Sequence, residues 1–214
     1  MTDAGYDVSG VLPVDGFDRV PPGTNLLVSG PAMSGKRRLV FELLAIGDDP
    51  VVVVTTDDPA NRIRARFTDL GVAFDADRFR IVDASGAPGD DAEDVHHVSS
   101  PSDLTGMGVA FTKAVDDFAE PDRLRLGFLS ISTLLQYVDD ERTFSFLHVL
   151  TRRAAAGDYF GAYTIDPTTH EDRFVNVVTS IFDAVVELRE TDDGREVRVR
   201  GLPDADSGWT ALSE

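Results

Sequence analysis

Past a polar arm at residues 1–20, short apolar runs alternate with segments whose apolar positions recur every three to four residues. "NLLVSG" (25–30) is an apolar run closed by glycine, and "SGKRRLVFELLAIG" carries Leu39, Val40, Leu43, Leu44 and Ile46 at helical spacing before a Gly47 stop. "VVVVTT" (51–56) is continuously β-branched, as a strand buried on both faces would be. "DDPANRIRARFTDLG" then predicts a helix with Asp58 as its N-cap, Pro59 in its first position and Gly71 as its terminator. The alternation continues. Strands are expected at 78–84, 123–131 and 159–165, and helices at 101–119, 139–157 and 171–182. In the 101–119 helix Val109, Ala110, Val115 and Phe118 fall among the apolar positions, and residues 85–100 form a long loop without periodicity.

The rhythm changes near the end. "AVVELRE" and "REVRVRG" flank "TDDG" (191–194), which suits a β-hairpin, and "GWTALS" adds an edge strand. Repeated strand–helix alternation predicts an α/β fold, with a mainly parallel sheet between helices and an antiparallel C-terminal hairpin. The expected organisation is a single domain over 1–214, with residues 1–20 as an arm and 183–212 as the hairpin and edge strand.

Charge changes the picture of the surroundings. The formal net charge is −18, with only two lysines, Lys36 and Lys113, among 20 basic residues. Such a chain repels itself unless salt screens it, and at molar salt the screening length falls to about 3 Å. Acidic, lysine-poor composition therefore predicts a very salty cytoplasm. It also argues against electrostatic capture of nucleic acid, which needs a basic stripe. With no cysteine, disulfides and thiolate metal sites are excluded. The N-terminus has neither the basic nor the apolar region of a signal peptide, and no apolar run is long enough to span a bilayer. A soluble, cytoplasmic protein without membrane attachment is expected.

The candidate chemistry lies in "GPAMSGKRRL" (30–39). Gly30, Gly35 and Lys36 have phosphate-loop spacing, G-x4-G-K, between a predicted strand and a predicted helix. Backbone N–H groups there form an anion nest, and the helix start adds partial positive charge. Gly30, Ser34, Gly35, Lys36 and Arg37 are the expected phosphate-binding residues, with ATP or ADP as the ligand. The departure is Arg37, where a phosphate loop has the Ser or Thr that ligates magnesium. Its guanidinium either pairs phosphate oxygens or points to solvent with Arg38.

"DGFDRVPPGTNLLVSGPAMSGK" resembles the opening of the KaiC-like ATPases of the RecA superfamily. The resemblance runs through "VVVVTTDDP", "RLGFLSISTLLQYVDDERTFSFLHVL" and the terminal "VRVRG", over roughly residues 10–205, though only the phosphate loop is a motif in its own right. It is nearest to a haloarchaeal, transducer-like branch, and it implies a RecA-like P-loop fold. In that family a later apolar strand ends in an Asp that holds the metal. Aligned on "GFLSISTLL" (127–135), the position is Leu129, and no acid lies between Asp122 and Asp139. Both protein groups that serve magnesium are thus missing, so magnesium is not expected. Asp57 and Asp58 resemble the acidic pair with which such enzymes activate water. Asp57 is the candidate catalytic residue, while capping is a sufficient role for Asp58.

The remaining residue types add little. His96, His97, His148 and His170 lack metal-ligand spacing. His170 is either a turn residue or a phosphate sensor at a strand end. "SIST" (130–133) has no His/Asp partner in sequence for nucleophilic work. Three classes of function stay open. The first is a non-catalytic or weakly active regulatory or signalling protein with a degenerate nucleotide site. The second is an active ATPase with unconventional metal coordination, and the third an interaction module that binds no nucleotide. The first accounts for both the retained loop and the lost metal ligands. Rings and filaments are common among RecA-like domains, so self-association or pairing with a KaiC-like paralogue is the partner expectation.

Overall fold

A computed structural model describes residues 5–88, 92–119 and 121–212. Residues 1–4 of the arm, 89–91 of the long loop and the Ser213 end of the last predicted strand lie outside that description. Two short strands of the arm, β1 (Tyr6–Asp7) and β2 (Arg19–Val20), pair antiparallel. Then follow β3 (Asn25–Ser29), α1 (Lys36–Ala45), β4 (Val51–Thr55), α2 (Ala60–Asp69), β5 (Phe79–Asp83) and β6 (Val95–His97). The middle of the chain gives α3 (Leu104–Asp116), β7 (Arg125–Leu129), the one-turn α4 (Ile131–Leu134), α5 (Asp140–Ala156) and β8 (Phe160–Ile165). The chain closes with α6 (Asp172–Thr179), β9 (Ala184–Thr191), β10 (Gly194–Arg200) and β11 (Thr210–Leu212).

The large sheet has the order β11-β10-β9-β3-β8-β7-β4-β5-β6. Pairing is parallel from β9 through β6, whereas β10 runs antiparallel to both β9 and β11. This is the expected α/β architecture with its antiparallel hairpin. β3 lies between β8 and β9, so the carboxyl ends of β3, β4, β7 and β8 open on one edge. In such sheets that edge is where ligands lie.

Each central strand feeds two cores. Leu26, Val28, Val51 and Val53 pack with Leu39, Leu43 and Phe67 from α1 and α2. Leu27, Val52 and Val54 face Phe111, Leu147 and Val178 from α3, α5 and α6. Side chains alternate across a strand, so an uninterrupted valine run supplies both layers.

The arm is not a polar appendage. Tyr6, Val8, Leu12, Val14, Phe17 and Val20 are buried against the first core. Arg125, only 1% exposed in its side chain, fixes the arm. It pairs with Asp49 at 3.0 Å and donates to the carbonyls of Leu43 (2.7 Å) and Asp7 (3.0 Å). Burial pushes the Asp49 carboxyl up, but hydrogen bonds and charge from Arg123 and Arg125 outweigh it and hold the group below its ordinary value.

Four expectations need correction. Asp58 does not cap α2: the N-cap is Pro59, without a side-chain cap, and the Ala60 N–H donates to Asp83 Oδ2 at 2.8 Å. A carboxylate from the next strand supplies the cap, because Asp58 is drawn away by arginines. The loop at 85–100 contains the parallel strand β6, whose short edge pairing with β5 needs no apolar alternation. The helix in 101–119 starts at Leu104, with Asp103 accepting from the Gly106 N–H, and Pro101 lies outside it. Val109 is 51% exposed on that helix rather than in the core.

Candidate functional site

β3 delivers the chain into the loop 30–35, where the Gly30 N–H donates to Ile165 O at 3.2 Å. Space dictates the first glycine: a Cβ on residue 30 would stand 2.6 Å from Ser34 Oγ and 3.0 Å from Leu188 Cβ. Conformation dictates the second, since Gly35 precedes α1 at φ 89°, with no side-chain cap. The N–H groups of the first helical turn therefore face the sheet edge without helical acceptors. Met33 adopts φ 64° at the loop crest and is 93% exposed. Ser34 is buried, and its Oγ has no hydrogen-bond partner among the described residues.

Lys36 folds back along the loop. Its Nζ donates to Pro31 O at 2.8 Å and lies 3.8 Å from Asp166 Oδ2, at the end of β8. Burial lowers the lysine's pKa, the Asp166 charge raises it and Arg37 lowers it; the net shift is downward. The ammonium is held next to the nest but retains capacity for a further acceptor, having three donors.

Arg37 points neither to solvent nor along the loop. It crosses to the end of β4, where Nη1 meets Asp57 Oδ2 at 2.8 Å and Nη2 meets Asp58 Oδ2 at 2.7 Å. Arg62 adds a contact to Asp58 Oδ1 at 3.2 Å from the next helix. Arg38 turns outward to Glu42, one turn along α1. The structure thus brings Asp57 and Arg37 together beside Lys36, with Arg37 bridging the acidic pair.

The third wall comes from β7. Leu129 is 0% exposed and its side chain belongs to the apolar core, while its carbonyl accepts from the Thr56 N–H at 2.7 Å. Ser130 caps α4, with Oγ 3.4 Å from the Thr133 N–H. Beyond it the fold makes a contact that the sequence reading lacked: Ser132 Oγ and His170 Nε2 are hydrogen-bonded at 2.9 Å. The Asp166 N–H donates to the same Ser132 Oγ at 2.9 Å. The Asp166 carboxylate is engaged by Thr168 and faces Lys36, so its observed contacts do not orient the imidazole. His96 pairs with Asp117 and His148 stacks on Phe144, both outside this wall.

These walls enclose a cavity of about 530 Å³ lined by Lys36, Arg37, Asp57, Ser132, Thr164, Asp166 and His170 among others. Thr164 is fully buried, and its Oγ1 lacks a partner among the described residues. Sequence reasoning missed Thr164, Asp166 and the Ser132–His170 contact. The available signal for Asp166 was an acid closing the apolar run "YFGAYTID"; the others depend on neighbours far along the chain. Lys36 and Arg37 bring positive charge to this cavity, and the buried Leu129 closes the strand beside it without a polar side chain. Among the described residues no three His, Cys, Asp or Glu side chains are grouped to hold a metal.

Residues 23–188 match a family of unknown function, DUF7504, and the chain belongs to it. No curated protein matches the sequence. Among solved structures the chain is similar to a KaiC-like protein from the hyperthermophilic archaeon Pyrococcus horikoshii OT3. The match has 18% identity and a TM-score of 0.66, over 97% of this chain and 90% of that one. The fold is therefore RecA-like.

Proposed function

We propose that this member of the DUF7504 family is a non-catalytic or weakly active regulatory protein, holding ATP or ADP at a degenerate P-loop without magnesium. It descends on this reading from a KaiC-like ATPase, and its branch is haloarchaeal, with a salty cytoplasm as its setting. The observation that carries the reading is the pairing of Arg37 with both Asp57 and Asp58. A cation built into the chain engages both of the carboxylates that the resemblance assigns to activating water. Leu129 supports the same conclusion, since the strand end offers no second metal ligand. Phosphate affinity then comes from the loop N–H groups, the helix start and Lys36.

Signalling in such a protein would pass through contacts to a second copy or to a KaiC-like paralogue, with occupancy of the loop as the input. Fold likeness supports the architecture and leaves activity to the site.

The test is ATP and ADP affinity with turnover, in molar KCl, with and without Mg²⁺. Binding indifferent to Mg²⁺, lost in Lys36→Ala and without turnover, is the expected result. Turnover that needs Mg²⁺ and disappears in Lys36→Ala would establish an ATPase instead. Absence of binding in both conditions would leave an interaction module.

A further inference from the structure

The loop has a second neighbour, which lines a different cavity from that of Lys36. A Cβ built on Gly35 would meet Nη1 of Arg195 at 3.0 Å, so the guanidinium lies against the glycine that starts α1. Arg195 is the second residue of β10, between Glu190 of β9 and Leu212 of β11 in the sheet register. The other arginines of the hairpin are committed: Arg189 to Glu196, and Arg198 and Arg200 to Glu187. Arg195 has no carboxylate within ion-pair distance among the described residues. It is half-buried, and it stands beside the positive end of a helix. Electrostatics disfavours that placement of a cation unless an anion shares the site. The side chain is reachable, since it walls a cavity of about 490 Å³ with Val11, Leu39, Leu188 and Leu212. Beside Lys36, the neighbouring cavity is lined by Thr164 of β8, whose buried Oγ1 has no hydrogen-bond partner among the described residues.

We propose that Arg195 is a second cationic contact for the phosphate chain of the nucleotide, reaching it from the hairpin while Lys36 reaches it from the loop. The inference rests on the nucleotide-binding reading of the loop. It adds a residue from a part of the chain more than 150 positions away, and it ties the C-terminal hairpin to occupancy of the site.

The experiment is calorimetric titration of the full chain with ADP and with inorganic pyrophosphate, in molar KCl without Mg²⁺. It compares wild type, Arg195→Gln, Arg195→Lys and the remote charge control Arg152→Gln. Arg195→Gln is expected to weaken both ligands about tenfold, the loss of a charge-assisted hydrogen bond. Arg195→Lys should recover part of the affinity, and Arg152→Gln should match wild type. Wild-type affinity in Arg195→Gln overturns this inference and leaves the proposed function standing. Equal losses in Arg152→Gln, or weakening of ADP alone, overturn it too, the first as a net-charge effect and the second as a contact to the nucleoside. A wild-type chain that binds neither ligand overturns both.

Discussion

The guanidinium of Arg37 meets the carboxylate of Asp58 at 2.7 Å, joining the start of α1 to the end of β4 beside the loop 30–35. Together with the 2.8 Å contact to Asp57, this ties the residue that follows the loop lysine to the acids beside it. In the sequence these are two oddities twenty positions apart; in the fold they are one compensated charge cluster.

A hydroxyl placed at residue 37 should therefore not by itself produce an ATPase. Arg37→Ser is expected to lose about 1 kcal/mol of stability, since the pairs are partly exposed and two carboxylates are left unopposed. No Mg²⁺-dependent turnover should appear, because Leu129 offers no ligand. Urea denaturation in molar KCl and a phosphate-release assay on the same variant check both points.

The cap of α2 can be tested by contrast. Asp83→Ala removes the acceptor of the buried Ala60 N–H and should cost about 2 kcal/mol. Asp58→Ala, at the position that the sequence designates as the cap, should cost less than half as much. Equal losses in the two variants would return the capping role to Asp58.

His170 should give the fold a dependence on pH. Burial lowers its pKa below the ordinary 6.5, and the opposing charges of Asp140 and Asp166 only partly restore it. Ser132 and the Phe174 ring also face it. Because the folded state holds fewer protons than the unfolded chain, stability falls as pH drops from above 6.5 toward the folded value. His170→Gln should flatten this slope between about pH 7.5 and 5.5, measured as the difference in unfolding free energy from wild type.

Salt should act on the whole molecule. With a formal net charge of −18, self-repulsion loosens the compact state when screening is weak. The unfolding temperature should rise between about 0.2 M and 3 M KCl, as the screening length falls from about 7 Å to about 2 Å. A thermal scan showing no rise, or a fall, would remove the support for a high-salt setting.

The sequence by itself determined the strand–helix alternation, the mainly parallel sheet and the hairpin, because each follows from local periodicity and turn chemistry. It also determined the start of α1, since Gly35 answers to backbone geometry that a short stretch dictates, whereas Gly30 answers in part to Leu188, far along the chain. Only the tertiary structure decided where charges and caps go. Asp58 lost its local capping role to Asp83 because arginines from α1 and α2 converge on it, and Arg125 was drawn inside by Asp49 and two carbonyls. The same holds for Ser132 with His170 and for Arg195 against Gly35. Long side chains choose partners by proximity in the folded sheet, and proximity across strands is not written in the spacing of residues along the chain.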